Sequence, residues 1–140
     1  MNGNILADTS FWIALFDPRD QYHREATEKE QWLEGATIVM PWPIMYETVR
    51  TRLARRLERI LLFDRYLKRP QIVFVDDSLL RDEAYRLAVE YSVNLRRPMS
   101  MVDVLCRLLI EDVNTQIDAV LTTNPGDFDD VCRSSRVMLL

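Results

Sequence analysis

The sequence predicts an α/β fold: a single domain with a mostly parallel five-stranded sheet flanked by helices. Three observations lead there. Five short apolar runs, near residues 5–7, 37–40, 71–75, 119–122 and 137–140, have the continuous aliphatic character of strands covered on both faces. Segments with helical spacing of apolar residues separate them, and that alternation belongs to parallel sheets sandwiched by helices. Only three glycines occur in 140 residues, with no Ser/Gly-rich linker and no repeat, so residues 1–140 are expected to form one domain.

The elements follow in order. Strand 5–7 ends at Asp8-Thr9-Ser10, whose short polar side chains cap a helix over 11–16. Asp17-Pro18-Arg19-Asp20 breaks that helix, and a second, over 23–33, stops at Gly35. After strand 37–40, Pro41 and Pro43 lead into a helix in which Ile44, Val49, Leu53, Leu57 and Ile60 form an apolar stripe. Helical character continues, with or without a break, to Leu67, and Pro70 ends it. Strand 71–75 is the most clearly patterned. Asp76-Asp77-Ser78 then caps a helix over 79–91 that turns Leu80, Ala84, Leu87, Ala88 and Tyr91 inward, and Ser100 caps another over 101–114. Strands 119–122 and 137–140 complete the sheet.

Composition narrows the function classes. With 48% hydrophobic and 29% charged residues the chain reads as globular. No run approaches the ~18 apolar residues of a membrane span. Met1-Asn2-Gly3-Asn4 lacks the basic start of a signal peptide, so a cytoplasmic location with no membrane partner is expected. Cys106 and Cys132 lie in apolar or helical contexts as buried thiols, and His23 is the only histidine. Zinc sites and Ser–His or Cys–His nucleophiles are thereby disfavoured. The net charge is −4, yet all basic residues except Lys29 and Lys68 are arginine. Arg50, Arg52, Arg55, Arg56 and Arg59 crowd one helical segment, where a guanidinium patch suits phosphate and a charged solvated face is the plainer account.

Four acids carry the chemistry. Asp8 and Asp127 follow strands, while Glu47 and Asp103 sit near helix starts. In a parallel α/β sheet the ligand site lies outside the carboxyl ends of the strands, where strand order reverses. Each acid alone is explained by a turn or a helix cap. Together they are not: two unit charges ~4 Å apart repel by about 4 kcal/mol at an effective dielectric near 20. Converged carboxylates therefore call for a raised pKa or a cation, and an all-oxygen cage suits Mg²⁺ or Mn²⁺.

Ile5-Leu6-Ala7-Asp8-Thr9-Ser10, Glu47-Thr48-Val49-Arg50, Ser100-Met101-Val102-Asp103 and Leu121-Thr122-Thr123-Asn124-Pro125-Gly126-Asp127-Phe128 stand in this order across the chain. In this it resembles the PIN-domain ribonucleases, and among them the VapC-like toxins of type II toxin–antitoxin modules. The resemblance implies an endoribonuclease dependent on Mg²⁺ or Mn²⁺, with Asp8, Glu47, Asp103 and Asp127 as metal-binding and catalytic acids. Ser10, Thr122 and Asn124 would be supporting polar residues. It further implies an RNA substrate, 5′-phosphate and 3′-hydroxyl products, a cognate antitoxin and a homodimer. Phe11, Trp12 and Phe16 are candidate interface aromatics, with a place in the core as the alternative for the helical face that Trp12 and Phe16 share. Two departures stand out. Asn124 occupies a position where many members carry Asp, and Val104-Leu105-Cys106-Arg107 is bulkier than usual. Two rival readings share the pattern: a catalytically silent binding module on the same scaffold, and a phosphoaspartate or receiver-type α/β domain. The second lacks an Asp at position 10 and any lysine beyond Lys68.

Overall fold

Ile5, Leu6 and Ala7 have no solvent exposure at all, and the strand that contains them, β1 (Asn4–Ala7), is the centre of the sheet. The computed structural model of the protein describes residues 2–140; Met1 and the side chains of residues 51 and 52, hence Arg52 of the arginine group, lie outside the described residues. β2 (Thr37–Pro41), β3 (Ile72–Val75), β4 (Ala119–Leu121) and β5 (Met138–Leu139) complete one five-stranded sheet in the order β3-β2-β1-β4-β5. Every pairing is parallel; β1 aligns Ile5 with Ile38 on one side and with Ala119 on the other. The expected sheet is thus present, with parallel pairing throughout.

Chain order fixes where a ligand can bind. From β1 the strands step outward through β2 to β3, then return across β1 to β4 and β5. The reversal lies between β1 and β4, and the loops leaving those two strands diverge to open a crevice there.

The helices are α1 (Thr9–Phe16), α2 (His23–Lys29), α3 (Trp42–Thr48), α4 (Thr51–Ala54), α5 (Leu57–Leu67), α6 (Arg81–Val93), α7 (Met101–Glu111) and α8 (Asp129–Ser135). α1 packs against α2, α3 and α5, whereas α7 packs against α6 and α8. Short 3₁₀ turns at Glu30–Leu33, Ser78–Leu80 and Pro125–Asp127 finish or introduce helices. Gly35 follows the first of them at φ +75°, a conformation that glycine adopts without steric cost. The core centres on Trp12, whose ring stacks on Phe16 and meets Phe63 and Tyr66 edge-on, with its Nε1 donating to the Ala7 carbonyl at 3.0 Å.

Three expectations need correction. The helix expected from Ile44 to Ile60, with its continuation to Leu67, is three helices, interrupted near residues 49–50 and 55–56, so Arg50, Arg55, Arg56 and Arg59 do not share one helix. Arg59 instead pairs with the buried Asp17 at 2.8 Å, and Arg50 turns toward the crevice. Phe11 and Trp12 are 1% and 0% exposed and Phe16 packs on the core, so these aromatics form the interior and no surface for a partner. The exposed aromatics include Trp42, Tyr46 and Phe74, with Trp42 stacked on Phe74 at 4.7 Å. Finally, α8 was not foreseen. Both cysteines are buried free thiols, as expected. Among the described residues no helix is long and apolar enough to cross a membrane.

Candidate functional site

Asp8 leaves β1 as the N-cap of α1, accepting from the Phe11 backbone N–H at 3.1 Å. The capping role is real, but it engages only part of the carboxylate. Oδ1 also accepts from the Ser10 hydroxyl at 2.6 Å, and Oδ2 from the Thr122 hydroxyl at 2.8 Å. Thr122 comes from the end of β4, so the two strands at the reversal point are tied through Asp8. The Ser10 oxygen in turn accepts from the Thr123 backbone N–H at 3.0 Å, and the Thr122 hydroxyl from the Asn124 N–H at 2.9 Å. This lattice orients Asp8. Burial pushes its carboxyl above the usual carboxylate range, the Ser10, Thr122 and Phe11 hydrogen bonds oppose that, and nearby Asp127 adds to it.

Asp8, Glu47, Asp103, Asn124 and Asp127 all line one cavity of about 600 Å³ at the carboxyl edge of the sheet, together with Ser10. Thr122 lies buried behind it. Glu47 arrives on the last turn of α3, its Oε2 accepting from the Thr9 hydroxyl at 2.6 Å. Asp103 stands in the first turn of α7, with its N–H donated to the N-cap Ser100 Oγ at 3.0 Å. Its carboxyl is pushed up to about 6, first by desolvation, then by the negative charge of Asp127, with Asp8 and Glu47 adding to it. The acids thus sense one another across the cavity. They are not drawn into a closed cage: among the described residues no three His, Cys, Asp or Glu side chains are gathered closely enough to hold an ion as they stand. Hydroxyls tether two of them, Thr9 holding Glu47 and Ser10 with Thr122 holding Asp8.

The donor set fits a hard divalent cation. Four carboxylates and the neutral Asn124 face the same space, and the Thr48 hydroxyl, 1% exposed, lines it with no hydrogen-bond partner among the described residues. No lysine lines the cavity, and Lys68 is an exposed partner of Asp64, which removes the receiver-type reading. Cys106 contributes a fully buried thiol whose pKa is raised well above normal by desolvation, so it stays protonated as filler.

Sequence reasoning missed Thr9, Thr48 and Arg50 as members of this site. The motif Asp8-Thr9-Ser10 signalled a cap, but nothing local connected Thr9 to a glutamate 38 positions away. It also missed a second layer. Arg107, 7% exposed, forms a bidentate pair with Asp130 at 2.7 Å on both arms and donates to the Asp127 carbonyl at 2.8 Å. The pair holds the Asp130 carboxyl far below the ordinary range.

The sequence model of the family described as PIN domain matches residues 5–133. No curated protein matches the chain. Among solved structures, Mycobacterium tuberculosis VapC20, described as a sarcin-ricin loop cleaving toxin, superposes with a TM-score of 0.67. The two share 20% identity over 90% of this chain and 94% of that one. At that identity the likeness is one of fold.

Proposed function

The chain belongs to the PIN domain family, and from that premise we propose that it is a metal-dependent endoribonuclease, the toxin of a type II toxin–antitoxin pair. One observation carries the reading: Asp8, Glu47, Asp103 and Asp127, from four separate segments, face a single cavity at the strand-order reversal. A fold neighbour described as a sarcin-ricin loop cleaving toxin adds support. Asp8 and Asp103 would hold Mg²⁺ or Mn²⁺ directly, with Glu47 and Asp127 binding directly or through water. When bound, such an ion supplies Lewis acidity, lowering the pKa of a water and stabilising charge on the phosphate.

The protein's own groups do the rest. Ser10 and Thr122 hold Asp8 aligned and oppose the desolvation that raises its carboxyl. Glu47, with Oε2 engaged by Thr9, accepts the water's proton at Oε1, and a proton from solvent neutralises the departing 3′-oxygen. The oxygen of that water joins phosphorus as the P–O3′ bond breaks, leaving a 5′-phosphate and a 3′-hydroxyl. Arg50, which lines the cavity, offers a planar fork to the substrate phosphate. The acids carry no base preference, since sequence is read through base contacts. In this reading residues 1–140 act as one domain in the cytoplasm, as a homodimer restrained by an antitoxin, and the exposed Trp42, Tyr46 and Phe74 offer apolar contact area for a partner.

The test is cleavage of RNA by purified wild-type, Asp8→Asn and Asp103→Asn proteins. Wild type should cut in Mg²⁺ and stop in EDTA, and both variants should be inert. Asparagine caps a helix about as well as aspartate, so full activity in Asp8→Asn would return this residue to a capping role and defeat the proposal.

A further inference from the structure

Arg107 occupies a costly position. It lies one turn after Asp103 on α7, among Val104, Leu105, Cys106, Leu109 and Ile110, all buried. A guanidinium there is tolerated only when fully paired, and an apolar side chain would serve stability as well or better. Its hydrogen bonds show what it serves. Nη1 and Nη2 grip the two Asp130 oxygens in a fork, and Nη1 also donates to the carbonyl of Asp127. Arg97 reaches the same turn from the loop before α7, donating to the Gly126 carbonyl at 2.9 Å and lying 3.5 Å from Asp130. The turn is otherwise slight. Pro125–Asp127 is a single 3₁₀ turn without a side-chain cap, closed by Asp127 N–H to the Asn124 carbonyl and Phe128 N–H to the Pro125 carbonyl. Asn124, Pro125 and Gly126 are exposed. Two guanidiniums thus hold consecutive carbonyls of the one segment whose next side chain, Asp127, faces the cavity.

We propose that Arg107, with Arg97 and Asp130, is a clamp that positions Asp127 and thereby sets the affinity of the acid cavity for its divalent ion. This deepens, and rests on, the metal-dependent reading above. Arg107 touches neither ion nor substrate; it is a positioning residue that acts through the backbone of the Asp127 turn. Because Asp103 and Arg107 share a helix, the clamp also ties the distance between the Asp103 and Asp127 segments to the rigid body of α7. Groups that orient metal ligands in this way commonly govern affinity by about 10- to 100-fold.

The experiment measures Mn²⁺ binding to RNA-free protein by calorimetry, well below the melting temperature of each variant. Asp130→Asn and Arg97→Ala alter the exposed limbs of the clamp, and Arg107→Lys keeps the charge while losing the fork. Arg107→Lys and Asp130→Asn should weaken Mn²⁺ about 10-fold, and Arg97→Ala less. Each loss should largely vanish when measured in an Asp127→Asn background, because coupled residues are non-additive. A merely structural arginine would lower the melting temperature without moving Mn²⁺ affinity. Folded variants that bind Mn²⁺ as wild type does, or that lose the same factor with and without the Asp127 carboxylate, overturn the clamp alone. Wild-type protein that binds no Mn²⁺ overturns the metal-dependent reading and the clamp with it.

Discussion

Asp103→Asn should make the metal-free protein more stable, an unusual outcome for a change in a candidate site. The Asp103 carboxyl is raised from 3.8 to about 6 by desolvation and by the facing Asp127, Asp8 and Glu47. A shift of two units corresponds to ~3 kcal/mol of destabilisation once the group is ionised. Partial solvent contact reduces that figure, and removing an acid from the first turn of α7 forfeits about 0.3–1 kcal/mol of helix-terminus attraction. A net gain of ~1–2 kcal/mol near neutral pH remains. The sign with pH follows from proton uptake. The folded protein binds this proton more tightly than the unfolded chain does, so the penalty is absent below the unfolded pKa near 4. It grows as pH rises and is complete above about 6. Urea unfolding in EDTA, at several pH values between about 4.5 and 7.5, reads the difference directly. The variant's advantage should open with rising pH, and Mg²⁺ should reverse it by stabilising wild type alone. A variant less stable than wild type at neutral pH in EDTA, or an offset flat with pH, would refute the argument.

Two further outcomes follow from the packing. Thr9→Val removes the hydroxyl that holds Glu47 at 2.6 Å; it should cost about 1 kcal/mol of stability but lower the cleavage rate roughly tenfold, as expected when a positioned proton acceptor is released. Unchanged turnover would remove Glu47 orientation from the mechanism. Trp12→Ala empties the centre of the Phe16–Phe63–Tyr66 cluster and should cost ~3–5 kcal/mol in urea unfolding. A loss below about 1 kcal/mol would contradict its assignment to the core.

The strands were legible because parallel strands buried on both faces leave continuous apolar runs, and the acids because they stand where such runs end. What escaped detection depended on distant partners. α8 contributes only Val131 and Cys132 to the interior and is otherwise polar, so Asp129–Ser135 shows no helical stripe. The breaks between α3, α4 and α5 carry neither glycine nor proline, the residues that would have signalled them. Phe11 and Trp12 looked available for a partner because nearly every residue of α1 is apolar, which hides the inward face. Thr9 and Arg107 find their partners 38 and 20–23 positions away. No local pattern encodes such pairs.

The central claim is that four acids share one divalent ion, and a crystal soaked in Mn²⁺ tests it most directly through the anomalous signal of the metal. The account predicts a peak inside the cavity, about 2–2.6 Å from oxygens of Asp8 and Asp103, with Glu47 and Asp127 reaching it directly or through water. An empty cavity in soaks at saturating Mn²⁺, or a peak bound only by residues outside it, would contradict the account.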